Sequence, residues 1–230
     1  MTYKEGFDDG PGGWHGWIDN FQGPGRLLVR DGSAISHSPW WIDYNHAPPG
    51  AGYLHMLFCL PTKASTLGEA VMDAGGRNRF IDSGCGTDFT DARITIRSRG
   101  ELDARGASMV LLCQAGVDGV VSGWALTSQP LHVTSGWSEQ TLHLRPDPAQ
   151  WTALGSRHDR TAMYGVRDLG KVLRDVNSNI MLILFPLDVA AMLPVARPHE
   201  VRAGRDYPVW QRRLPDGYVL LDEIRIDFAQ

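Results

Sequence analysis

The sequence predicts an all-β fold, a two-sheet sandwich with a short helical insertion near residues 166–177. Three observations predict it. Short apolar segments recur along the chain, several of them alternating with polar residues at the period of a strand. Glycine and proline punctuate them, with 26 Gly and 14 Pro in 230 residues. Eight tryptophans accompany these turn residues, a pairing that suits sheets better than helices.

The elements follow in order. Leu27 to Val29 and Tyr53 to Leu60 are apolar runs of strand length, expected to be buried on both faces. Arg93-Ile94-Thr95-Ile96-Arg97 turns both isoleucines to one face and its charges to the other, a half-buried strand. Met109 to Cys113 and Val120 to Leu126 are again continuous. Asp118-Gly119 between them is the best hairpin signal in the chain. Thr141-Leu142-His143-Leu144 alternates after Trp137, and a short helix or turn is expected from Pro148 to Leu154.

Val166, Leu169, Val172, Leu173 and Val176 then stand at helical spacing, so an amphipathic helix is expected over Val166 to Asn177. It leads into the apolar strand Ile180 to Phe185. Pro194 to Pro208 reads as a long surface loop, and Leu221 to Phe228 as a closing, alternating strand. With no internal repeat and no low-complexity linker, residues 1–230 are expected to form a single jelly-roll β-sandwich domain. In that architecture the first and last strands are neighbours.

Composition narrows the function classes. A net charge of −4 without any Lys/Arg-rich run excludes an electrostatic nucleic-acid footprint. No apolar run approaches a membrane span, so no membrane partner is expected. The N-terminus has no apolar signal core, which reads as a soluble, cytoplasmic chain; a secreted chain trimmed of its signal peptide would look the same. Three cysteines without short spacing make neither a disulfide framework nor a zinc set. Cys59 and Cys113 are expected in the core, and Cys85, between two glycines, nearer the surface.

The most informative stretch is Ser38 to His55. It holds Trp40, Trp41, Asp43, Tyr44, Asn45, His46, Tyr53 and His55 around a Pro-Pro-Gly break. Flat rings beside directional polar groups suit a polyhydroxylated ligand, with rings covering C–H faces and polar groups reading hydroxyls. Trp40, Trp41 and Tyr44 are the candidate platform; His37, Asp43, Asn45 and His46 are the candidate hydrogen-bonding groups. A catalytic alternative makes His46 or His55 a general base with Tyr44 or Tyr53 as acid and Asp43 orienting an imidazole. A third makes His46 and His55 ligands of one cation.

Trp14 and Trp17, after Gly12-Gly13, are placed on the rim of the same cleft. Arg77, Asn78, Arg79, Asp82 and Asp88 form a further polar set, in which an Arg could pair with the carboxylate of an acidic sugar. His158, Asp159, Arg160 and Tyr164 are candidates for a loop capping the cleft.

Three sequence features carry a resemblance. The chain opens with Phe7-Asp8-Asp9-Gly10 followed by Trp14 and Trp17. Its middle holds Gly136-Trp137-Ser138-Glu139-Gln140-Thr141-Leu142-His143-Leu144. It closes with Asp222-Glu223-Ile224-Arg225-Ile226. Together these resemble the calcium-containing, galactose-binding-like jelly rolls that include many carbohydrate-binding modules. The resemblance implies a structural Ca²⁺ between the first and last strands, with Asp8 or Asp9 and Asp222 as ligands.

Two functions therefore stand: a carbohydrate-recognising domain, or a saccharide-active lyase or hydrolase on the same scaffold. A structural or interaction domain with its tryptophans all in the core is the third. No nucleophile elbow, phosphate loop or dinucleotide fingerprint appears in the chain.

Overall fold

The computed structural model describes residues 1–19, 22–43, 53–155, 162–187 and 214–229. In chain order the strands are β1 (Thr2–Glu5), β2 (Gly16–Asp19), β3 (Gly23–Gly25), β4 (Leu28–Arg30), β5 (Ser33–His37), β6 (Ile42–Asp43) and β7 (Tyr53–Pro61). Two short helices follow, α1 (Glu69–Gly75) and α2 (Arg79–Asp82). Then come β8 (Arg93–Asp103), β9 (Ser108–Val117), β10 (Val120–Ala125), β11 (Ser138–His143), β12 (Thr152–Leu154), α3 (Leu169–Arg174), β13 (Asn179–Leu187) and β14 (Asp216–Asp227).

One sheet runs β11-β8-β14-β5-β4, with β1 also on β14. The other runs β12-β10-β9-β13-β7-β6, and β2 and β3 form a separate ribbon. Every strand pairing is antiparallel. The fold is the expected all-β sandwich, and its first strand lies against its last, Glu5 opposite Ile224.

The two sheets are built from different residue patterns. In the second sheet Leu54 to Leu60, Met109 to Cys113 and Ile180 to Phe185 are buried at every position, so both of its faces are covered. In the first, Ile94, Ile96, Val219, Leu221, Ile224 and Ile226 point inward while Arg93, Arg97 and Arg99 stay exposed. One apolar cluster takes side chains from both sheets. β4 departs from the expected double burial: it is an edge strand with one neighbour, and Leu28 remains 56% exposed.

The hairpin at Asp118-Gly119 is as its sequence predicts. Val117 pairs with Val120, and the two turn residues take φ of 46° and 81°. That is the primed-turn backbone in which glycine carries no penalty. β14 holds a register slip between Leu221 and Glu223. There the strand exchanges β5, its partner through Leu221, for β1, its partner from Ile224. Asp222 stands at that bulge.

The helices show where periodicity misleads. α3 is only Leu169–Arg174, shorter than the expected Val166 to Asn177. Asp168 starts it by accepting the Lys171 N–H at 3.0 Å, and Val166 lies outside it, 50% exposed. Leu169, Val172 and Leu173 are its buried side, packed on β9 and β10. Pro148 to Leu154 divides into one 3₁₀ turn and strand β12. α1 and α2 were not expected. α1 buries only Ala74 and Gly75, so it has no apolar stripe; α2 is a single turn capped by Asn78, whose Oδ1 accepts the Ile81 N–H at 3.0 Å.

Among the described residues no helix is long and apolar enough to cross a membrane.

Candidate functional site

The site is built where β5 ends. Ser36 turns inward and its Oγ accepts the Trp40 indole N–H at 2.8 Å, which holds Trp40 against the strand. His37, next along the strand, is exposed, with Nδ1 2.8 Å from the Ser38 carbonyl. A carbonyl only accepts, so this nitrogen carries the proton. The β2–β3 ribbon stands opposite and brings Trp17, with Arg26 in the link that follows it. Between them lies a hollow of about 320 Å³, walled by Trp17, Arg26, Ser36, His37, Trp40 and Met56 among others. That is the lower end of small-molecule pockets, enough for a monosaccharide-sized group.

Behind the hollow sits a group of rings. Trp17 and Trp41 lie 5.6 Å apart between centroids, tilted by 37°. Trp40 lies 6.2 Å from His55. His55 Nδ1 is 3.1 Å from the Trp41 carbonyl, so it donates there and leaves the Nε2 lone pair free. Burial pushes the His55 pKa down to about 4, opposed in part by that hydrogen bond, so the ring is neutral near pH 7. Among the described residues, three polar atoms of this group are buried without a protein partner: Nε1 of Trp17, Nε1 of Trp41 and Nε2 of His55. A buried donor or acceptor left unmatched costs about 1–3 kcal/mol, a condition that Trp14 Nε1, Ser98 Oγ and Gln114 Nε2 share elsewhere in the fold.

The expected site residues distribute as follows. Trp17, Trp40 and His37 meet at the hollow. Trp40 and Trp41, 8% and 7% exposed, are both buried, so neither offers an open platform, and His55, 1% exposed, offers no accessible base; of the three, Trp40 alone borders the hollow. This corrects the expectation of open rings along the whole stretch: β6 pairs with β7, Ile42 opposite His55, and that pairing draws its flanks inward. Trp14 is not a rim residue. It is 1% exposed, in the turn where Gly13 N–H meets the Gly75 carbonyl at 2.9 Å.

Asp43 lies in β6 opposite Leu54. Tyr44, Asn45 and His46 lie outside the described residues, as do His158, Asp159, Arg160 and the Pro194 to Pro208 stretch. Cys59 and Cys113 are buried and Cys85 is half-buried. Arg26, Ser36 and Met56 had no place in the sequence reading. Arg26 carries no local signal, because it lies in the link between β3 and β4 and reaches the hollow only once β4 pairs with β5.

The metal candidates are also placed. Asp8 and Asp9 are in the exposed turn after β1, and Asp222 at the bulge of β14 has its carboxylate 2.6 Å from Arg97 Nη1. A cation on Asp222 competes with that guanidinium. Among the described residues, no three His, Cys, Asp or Glu side chains converge as a metal site.

Arg79, from the polar set expected near Arg77, instead serves the interior. It makes a two-pronged pair with Glu5, which is 2% exposed, with Nε to Oε2 at 2.8 Å. Its other donors reach the Asp9 and Gly10 carbonyls at 3.2 and 2.9 Å. The Phe7 N–H adds a bond to Glu5 Oε1 at 2.9 Å. Gly12, at a φ of 62°, has no room for a side chain: a Cβ there would lie 1.9 Å from Glu5 Oε2.

No protein-family model matches the chain, and no curated protein matches it in sequence.

Proposed function

We propose that the protein is a carbohydrate-recognising β-sandwich domain whose ligand sits in the hollow between β5 and the β2–β3 ribbon. One observation carries the reading: two indoles, Trp17 and Trp40, share a single hollow with the hydrogen-bonding groups Arg26, Ser36 and His37. Rings beside directional donors are the chemistry by which a sugar is held.

Retention is favoured over turnover at this place. The residues described around the hollow include no Asp, Glu, Lys, Tyr or Cys, so neither a carboxylate pair nor an activated nucleophile is at hand. A glycan array followed by titration of its best hits tests the reading. Binding that falls at least tenfold in Trp17→Ala, with no change in the saccharide after prolonged incubation, is the expected result. Saccharide cleavage abolished by His46→Ala would instead favour the enzyme.

Calcium enters the same reading as a stabiliser near Asp8, Asp9 and Asp222. Its support is the pairing of β1 with β14, which brings the first and last strands together; against it stands the hold of Arg97 on Asp222. A melting temperature that falls in chelator and recovers with added Ca²⁺ speaks for the ion. An unchanged melting curve leaves Asp222 to Arg97.

A further inference from the structure

We infer that the ligand of the hollow carries a carboxylate, so that the saccharide class is acidic, built of uronic acid units; this rests on the carbohydrate reading above. The inference starts from the charges around the hollow. Arg26 stands in its wall, and none of the residues lining it is Asp or Glu. Among the described residues, no carboxylate forms an ion pair with Arg26. Its recorded bond runs from Nε to the main-chain carbonyl of Asp73 in α1, at 2.8 Å.

That single bond has two consequences. It spends one of the five guanidinium donors and leaves the terminal nitrogens, the pair whose spacing matches a carboxylate. It also ties the head group to α1, so less side-chain freedom is lost when an anion docks. A lysine there would offer a point charge without the planar fork.

The rest of the molecule sharpens the point. Several other arginines are already engaged with carboxylates: Arg79 with Glu5, Arg97 with Asp222, Arg77 with Asp82 and Arg225 with Asp227. The chain as a whole carries a net charge of −4, which repels anions at long range. Affinity for an acidic saccharide is then a local property of the hollow and not general stickiness. The Trp17 indole in the same wall adds an apolar surface for the C–H groups of a sugar ring.

The experiment uses matched ligands. Oligouronides of galacturonate, glucuronate, mannuronate and guluronate are titrated into the full chain, each beside its carboxyl-reduced neutral counterpart. At least one acidic oligomer is expected to bind tenfold or more tightly than its neutral form, with a preference that shrinks as salt is raised. R26M, confirmed as folded by an unchanged melting temperature, should bind both forms alike; R26K should keep part of the preference.

A neutral form bound as tightly as its acid, or a preference that survives in R26M, overturns the inference. Neutral binding without preference leaves the carbohydrate reading standing and removes only the acidic class. No binding by any pair removes both.

Discussion

The Glu5–Arg79 pair and the ring group of Trp17, Trp41 and His55 are both withdrawn from water, yet they treat their polar atoms in opposite ways. Around Glu5 each carboxylate oxygen accepts hydrogen bonds, and Arg79 reaches the Asp9 and Gly10 main-chain carbonyls besides. Behind the hollow two indole N–H groups and one imidazole nitrogen have no protein partner among the described residues. The first arrangement is closed and can only hold the chain together. The second leaves buried polar atoms without protein partners, and of its three rings Trp17 alone belongs to the cavity wall.

The strongest way to break the comparison is to open the closed network. Arg79→Met strands the Glu5 carboxylate, 2% exposed, without its cation. Stability should fall by about 3 kcal/mol, the low end for a broken buried pair because Arg79 itself keeps 30% of its side chain in solvent. Urea unfolding measures it. A loss below about 1 kcal/mol would show that the network is not closed in the sense argued. Saccharide affinity should not change.

Acid titrates the other side of the comparison. Burial holds His55 at about 4, against an ordinary value of 6.5. His15 is held at about 4 for the same reason. Both depressed values mean that the unfolded chain takes up protons first. The stability from neutral burial is complete above pH 6.5 and is lost as the pH falls from there toward 4, on the order of 3 kcal/mol per histidine. Unfolding measured from pH 7.5 to 4 should show this slope, and His55→Gln should remove about half of it. A flat profile would place His55 in water.

A smaller contrast separates the indoles themselves. Trp40 donates to Ser36 at 2.8 Å, while Trp41 donates to none of the described residues. Replacing each with Phe removes the same atoms, so the difference isolates the hydrogen bond. Trp40→Phe should cost about 1–2 kcal/mol more than Trp41→Phe, because it leaves the Ser36 oxygen stranded. Equal costs would mean that the Trp41 N–H is already satisfied.

The sandwich was legible in the sequence because its signals are local. The period-two pattern of Ile94 and Ile96, the continuous run through Phe58 and the Asp118-Gly119 turn each need only neighbouring residues. The length of α3 was not legible, since Val166 and Val176 share its period but lie beyond Asp168 and Asp175, where the backbone leaves the helix. The site was legible in part. Trp17, Trp40 and His37 stood out as aromatic and imidazole groups near a turn, and they do meet at the hollow. Burial of Trp14, Trp41 and His55 could not be read, because an indole or imidazole looks the same in a core as in a cleft. Arg26 was invisible because its neighbours in space come from β5 and α1.

The hollow walled by Trp17, Trp40 and Arg26 is where the proposed saccharide sits, with the Trp17 indole beside it. Indole N–H resonances of ¹⁵N-labelled tryptophan, followed during titration with the tightest-binding oligosaccharide, test it most directly. Trp17 should shift most. Trp124 and Trp151, whose indoles already donate to the Arg167 and Arg145 carbonyls at 2.9 Å, should stay in place. A titration in which Trp17 does not move while binding saturates would contradict the account.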